Sequence, residues 1–148
     1  EFRRVLFRSD AFEEVSIDRK IESAFGVING RDWRWRKANH IDADLKREGA
    51  AIFVVQAKSE VVGYITTWID SAGSIGFIPN LAVAVSHRRK GMGRRLIQHA
   101  LEHFRQQGVS HVRIETLEHN RVGQNLYPSL GFREVARQIH YCLNLEES

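Results

Sequence analysis

The chain has 148 residues, of which 43% are hydrophobic and 27% charged, the size and make-up of one domain around one core. No apolar run is long enough to cross a bilayer and no signal-peptide pattern stands at the front, so neither a membrane partner nor a secretory route is expected. The formal net charge of +4 gives only weak attraction for nucleic acid, and none is expected as a partner.

Residues 1–9 read Glu-Phe-Arg-Arg-Val-Leu-Phe-Arg-Ser and match, codon for codon, the translated end of a common short-read sequencing adapter. They are expected to be a library artefact, with a single domain over 10–148 and the natural N-terminus replaced. Setting them aside removes three arginines and one glutamate and lowers the net charge to +2. Asp10 is then placed to cap a first helix with Phe12, Val15, Ile21, Ala24 and Phe25 among its apolar positions. Asn29-Gly30 marks a turn. A Trp- and Arg-rich helix is predicted over 33–46, with Gly49 as its left-handed stop. The Arg34-Trp35-Arg36 run reads as the solvated face of that helix.

Residues 51–57 form a near-continuous apolar run, which predicts a buried strand. Lys58-Ser59-Glu60 is its turn, and 61–68, β-branched and aromatic, is the second strand of an antiparallel hairpin. Another strand is predicted over 76–85. Pro79 lies inside it and has no N–H to give a ladder, so a bulge is expected there. A helix begins near Gly91, buries Leu96, Ile97, Ala100, Leu101 and Phe104, and ends at Gly108. His99 and His103 stand four apart on it. No third ligand is placed beside them, so no metal is expected. A strand over 111–117, a short helix over 120–130 and a last strand over 134–145 complete the chain. The single cysteine, Cys142, lies among apolar and aromatic neighbours and reads as a buried thiol of a reducing compartment, the cytoplasm. This order predicts an α/β fold with a mixed central β-sheet flanked by helices.

The segment from Leu81 to Arg94 is a strand, a basic turn and a helix start. The first N–H groups of a helix lack partners inside it, carry partial positive charge and favour an anion. Gly91 and Gly93 remove side chains that would hold a phosphate away from those groups, and Arg88, Arg89, Lys90 and Arg94 surround the same point with charge. A diphosphate fits. No Gly-Lys-Ser/Thr ending is present, and no third glycine at the dinucleotide spacing, so a nucleotide P-loop and a nicotinamide site are both poor matches.

The pattern Arg88-x-x-Gly91-x-Gly93 after a strand resembles the pyrophosphate loop of the GCN5-related N-acetyltransferases, the GNAT family. A second stretch, Asn120-Arg-Val-Gly-Gln-Asn-Leu-Tyr127-Pro-Ser-Leu-Gly131-Phe132, resembles that family's Asn…Ala…Leu-Tyr…Leu-Gly-Phe signature. Gly123 stands where alanine is usual, at about 1 kcal/mol of helix propensity, and Pro128 follows the tyrosine. The resemblance covers about residues 50–145 and, more loosely, the two early helices. It implies a single-domain GNAT-like fold with a splay between the two central parallel strands. It also implies acetyl-CoA as co-substrate, held by Leu81, Ala82, Val83, Arg88, Arg89, Lys90, Gly91, Met92, Gly93, Arg94, Asn120 and Tyr127.

Direct transfer to an amine needs the amine deprotonated, the oxyanion stabilised and the thiolate protonated. Tyr127, which faces the thioester in relatives, is the expected acid. Many members carry a glutamate on the strand before the loop, but Ile75-Gly76-Phe77-Ile78-Pro79-Asn80 has no carboxylate. Glu115 is the alternative. Its spacing to Asn120 and Tyr127 resembles the ribosomal N-terminal acetyltransferases of bacteria, and a water chain is the other route for the proton. Val112, Ile114 and Thr116 alternate with His111, Arg113 and Glu115, which predicts a polar strand face over an open cleft. Trp33, Trp35, Tyr64, Trp68, His140 and Tyr141 lie in regions that wall the acceptor site in the family. The expected acceptor is a protein N-terminal or lysine amine. A small-molecule amine is the first alternative, and a degenerate acyl-CoA sensor without transfer the second. The chain is expected to be a monomer or a homodimer.

Overall fold

The computed structural model describes residues 16–147. The expected artefact over 1–9 and the Asp10 cap lie outside them. Helix α1 (Ile17–Phe25) is followed by a turn at Asn29 and Gly30, both at positive φ, and by α2 (Trp33–Asp44). Asp32 caps α2, its carboxylate accepting the Trp35 N–H at 2.9 Å. Gly49 takes left-handed backbone (φ 59°), but α2 ends five residues earlier at Asp44, so Gly49 shapes the entry to the sheet instead.

Strands β1 (Ala51–Ala57) and β2 (Glu60–Asp70) form the expected hairpin. Lys58 and Ser59 both take positive φ, 50° and 70°, the two-residue turn whose twist matches the strands it joins. β1 corrects the expectation of a buried strand. It sits at an edge of the sheet, pairs only with β2 among the described strands, and is half-buried with Val54 open to solvent. A continuous apolar run therefore overstates its burial. β3 (Ile75–Val83) pairs antiparallel with β2 and parallel with β4 (His111–Ile114), giving a mixed sheet in the order β1-β2-β3-β4.

Helix α3 (Met92–Gln106) lies across one face. Leu96, Ile97, Ala100 and Phe104 pack there with Ile65, Ile69 and Ile78. Gly76 lets it come close, since a Cβ on Gly76 would stand 2.5 Å from the Phe104 ring. α2 covers the other face, where Trp33, Ala38 and Ile41 meet Tyr64 and Ala82. Helix α4 (Arg121–Ser129) follows β4. No helix among the described residues is long and apolar enough to cross a membrane.

The last strand is a correction. Residues 133–144 form neither helix nor strand and are almost wholly exposed. Cys142, expected to be a buried thiol, is exposed with them. The alternation there is real, but a strand needs an edge to join, and the chain leaves α4 without meeting one.

Candidate active site

The β3–β4 ladder runs from Ile75 and His111 to Ile78 and Ile114. β3 then continues to Val83 while β4, here the edge strand of the sheet, stops, so the two parallel strands part between 79–83 and 115–117. Pro79 stands at the point of divergence. The β2–β3 register steps from Thr66 opposite Asn80 to Trp68 opposite Phe77, which sets Ile78 and Pro79 against Thr67 alone, and the predicted bulge is there. Leu81, Ala82 and Val83 stay paired with β2 on one side. On the other they face the cleft, with no ladder partner among the described strands.

The chain then passes through a short 3-10 turn (Val85–His87) into the basic turn. Arg89 and Gly91 take left-handed backbone, φ 63° and 77°, immediately before α3. The free N–H groups of the helix start that follows carry partial positive charge and favour an anion there. A Cβ on Gly91 would meet nothing within 4 Å, so this side is open. Arg88, Arg89 and Lys90 are exposed around it. Arg94 instead crosses to α4, donating to Ser129 Oγ at 2.7 Å. Gly93 faces the same helix, with a Cβ placed 3.5 Å from Leu126 Cδ2. The two motifs, about 30 residues apart in sequence, thus meet across the α3–α4 contact.

Asn120 caps α4. Its Oδ1 accepts the Gly123 N–H at 3.3 Å and its Nδ2 donates to Thr116 Oγ1 at 2.7 Å. A Cβ on Gly123 would stand 2.9 Å from Asn120 Nδ2, 3.1 Å from the Tyr127 ring and 3.2 Å from Thr116 Oγ1. Glycine in place of the usual alanine therefore follows from crowding under the cap. Pro128 occupies the last turn without ending the helix early. Tyr127 is half-buried, and its ring meets Phe132 edge-on at 6.1 Å between centroids. Burial pushes its phenol pKa up, which keeps the hydroxyl protonated.

Glu115 lies just past the end of β4. Its side chain is 72% exposed and 3.3 Å from Arg113 Nη2. Arg113 also lies over the Phe77 ring, which stacks on Trp68 at 4.1 Å, and Arg47 lies over the Trp68 ring in turn. This group of two guanidiniums and two rings shares the β4 side that carries Glu115. Of the other proposed wall residues, Trp33 and Tyr64 are core, Trp35 lies at the surface beside Arg31, and His140 and Tyr141 lie in the exposed terminal stretch. The rings of His99 and His103 flank Phe53 of β1, at 4.6 and 5.1 Å.

One group is visible only in three dimensions. Asn80, buried beside the bulge, donates to Thr66 Oγ1 at 2.9 Å and to the Asp44 carboxylate at 3.2 Å. Asp44 also pairs with Arg47 at 3.2 Å. Lys37, on the same helix as Asp44, has its pKa lowered by burial, against the pull of Asp18 and Asp44. Asp44 of α2 thus brings a carboxylate to Asn80. The absence of a carboxylate on β3 is legible in sequence, whereas this contact across 36 residues is not.

The acetyltransferase (GNAT) family model matches residues 15–132. The chain belongs to the GNAT family. It is 30% identical over 109 residues to the uncharacterized N-acetyltransferase YhfO of Bacillus subtilis, covering 71% of this chain and 73% of that one. It is 32% identical over 115 residues to an N-alpha-acetyltransferase of Sulfurisphaera tokodaii, covering 70% and 69%. In fold it is similar to the aminoglycoside N-acetyltransferase AAC(6')-Iy in complex with CoA, with a TM-score of 0.59 at 21% identity over 74% of this chain and 87% of that one. GNAT members are acyltransferases, and the splayed strands, basic turn and α4 of this chain are the GNAT layout.

Proposed function

We propose that this GNAT protein transfers the acetyl group of acetyl-CoA directly to a primary amine, with a protein N-terminal or lysine amine slightly favoured as acceptor. The observation that carries the reading is the meeting of the Arg88–Arg94 turn with the Tyr127 helix at the mouth of the β3–β4 splay. In this reading the turn and the start of α3 hold the diphosphate of CoA, and the open side of Gly91 gives it room. The free edge of 81–83 lines the pantetheine arm, with Asn120 beside it.

The amine nitrogen attacks the thioester carbonyl carbon, the C–S bond breaks, and the acetyl carbon ends bonded to nitrogen. Glu115 takes the proton that the amine loses, directly or through water, and Tyr127 gives one to the departing sulfur. The raised phenol pKa suits that second role, since an acid must hold its proton until the sulfur needs it. The peptide α-amine is supported by the similarity to an N-alpha-acetyltransferase over most of both chains. The similarity in fold to an aminoglycoside enzyme keeps a small-molecule amine as the alternative. A CoA-binding sensor is the second reading, favoured by the exposure of Glu115 and its pairing with Arg113. We place the activity in a single domain over 10–148, in the cytoplasm.

The test is incubation with acetyl-CoA and a mixed panel of peptides and small amines, followed by mass spectrometry of products and by release of free thiol. Acetylated peptide α-amines are expected. Tight CoA binding with no product on any acceptor would replace transfer with the sensor reading.

A further inference from the structure

Beside the part of the sheet that α2 covers, the same face carries a column of four side chains. Gly76 and Ile78 face α3, so strand alternation turns Phe77 to the opposite side, and Val112 and Ile114 leave Arg113 and Glu115 on that side too. Phe77 lies flat on Trp68, their planes 5° apart, and both rings are half-buried. Because each ring covers one face of the other, the guanidiniums take the outer faces, Arg47 on Trp68 at 4.8 Å and Arg113 on Phe77 at 5.3 Å.

The two ends of the column differ. Arg47 gives its Nε to Asp44, which also accepts from Asn80, so that end belongs to the scaffold. Arg113 stands beside the point where the strands part, since its pairing with Phe77 is followed only by that of Ile78 with Ile114. Its side chain is 57% exposed, and its Nη2 donates to Glu115 at 3.3 Å. That bond occupies one of the five N–H donors of a guanidinium. The ring beneath holds the group in place, so less side-chain freedom is left to lose on binding. A fixed, exposed guanidinium with further donors suits a carboxylate.

We infer that Arg113 selects the acceptor by binding a carboxylate carried near its amine, the acidic side chain of the second residue behind a peptide α-amine. The inference rests on the amine-acetyltransferase reading, with Glu115 as the group that meets the amine. Arg113 Nη2 and Glu115 Oε1 are one residue length of extended chain apart, so an α-amine on Glu115 sets the second side chain of the same peptide beside Arg113. A lysine there meets a like charge and is disfavoured. A small amino acid with a similar separation of amine and carboxylate presents the same chemistry.

Three peptides that begin Ala-Glu, Ala-Gln and Ala-Lys and are otherwise identical test it. With acetyl-CoA and the full chain, kcat/KM from thiol release is expected to fall in that order, about tenfold across the series. Peptide affinity for the CoA-loaded chain, by calorimetry, is expected in the same order. Arg113→Gln should level the series and Arg113→Glu should invert it. Arg105→Gln, which removes an exposed guanidinium on α3, should leave the order intact. Ratios are taken within each variant, so any change in the base itself cancels. Ordered affinity without thiol release would retain the carboxylate contact and end the transfer reading instead. A preference confined to 5-aminopentanoate over pentylamine, and lost in Arg113→Gln, would keep the contact and make a small molecule its source. No preference among peptides or small amines, an order that survives Arg113→Gln, or no binding of any acceptor would overturn the inference.

Discussion

The side of the cleft proposed to hold the donor and the side proposed to face the acceptor are held together by different contacts. On the donor side, the basic turn, the start of α3 and α4 are each shaped by residues a few positions apart. Left-handed Arg89 and Gly91 set the turn, Asn120 caps α4, and Gly123 makes room beneath the cap. Two contacts, Arg94 to Ser129 and Gly93 to Leu126, then join these locally shaped pieces. The acceptor side is assembled from pairings distant in sequence, Arg47 with Trp68, Phe77 with Arg113, Asp44 with Asn80. A donor site built locally tolerates little change at any one residue. An acceptor face built from long-range contacts spreads its effect over several groups.

That contrast ranks the effects of substitution. Gly93→Val is expected to have the largest. Gly93 already stands at contact distance from Leu126, so the added methyl groups must either push α4 away or project into the anion site. Loss of the helix-start contacts to a diphosphate costs on the order of 3 kcal/mol, about 100-fold in CoA affinity by calorimetry. Undiminished affinity would remove the assignment of the turn. Tyr127→Phe comes next, with kcat down about 100-fold and CoA affinity little changed. The wild-type rate is expected to hold above the pH at which an ordinary phenol ionises, because burial disfavours the phenolate and the active form is the protonated one. Only at higher pH does it fall, and Tyr127→Phe lacks that alkaline limb. An unchanged kcat would end the acid role.

On the acceptor side the expected effects are smaller. Glu115→Gln should lower the rate about tenfold near neutral pH, where the amine holds its proton, and by less as the pH rises and solvent removes it. A gap constant across pH would move proton removal to a water chain. Asp44→Asn, measured beside it, reads the carboxylate that Asn80 holds. It is expected to lower thermal stability more than rate, because it removes the charge that pairs with Arg47 and weakens the bond that Asn80 donates. The reverse pattern would make Asp44, rather than Glu115, the base.

Legibility in the sequence follows the same division. The hairpin turn, the Pro79 bulge, the buried face of α3 and both donor motifs are readable because turn chemistry, a missing N–H and helical spacing are local properties. β1 is misread because its run of apolar residues does not say how many strands flank it. The 134–144 stretch has the alternation of a strand, yet pairing depends on an edge that alternation cannot locate. Asp44 escapes notice because nothing in its surroundings on α2 marks it. Only the fold brings it to Asn80.

The smallest effect is expected where a donor-side rule and a donor-side contact oppose each other. Alanine at position 123 raises helix propensity by about 1 kcal/mol. Its Cβ also meets Asn120 Nδ2 at 2.9 Å, the Tyr127 ring at 3.1 Å and Thr116 Oγ1 at 3.2 Å. Asn120 and Thr116 are hydrogen-bonded to each other, so they cannot both move aside without weakening the cap, at a cost of about 1 kcal/mol. Gly123→Ala is therefore expected to change the melting temperature by a few degrees at most. Displacing the ring that carries the proposed acid should show instead in kcat, as a loss of a few-fold. A melting temperature raised well beyond that, with kcat intact, would mean that Asn120 and Tyr127 have more freedom than their packing shows.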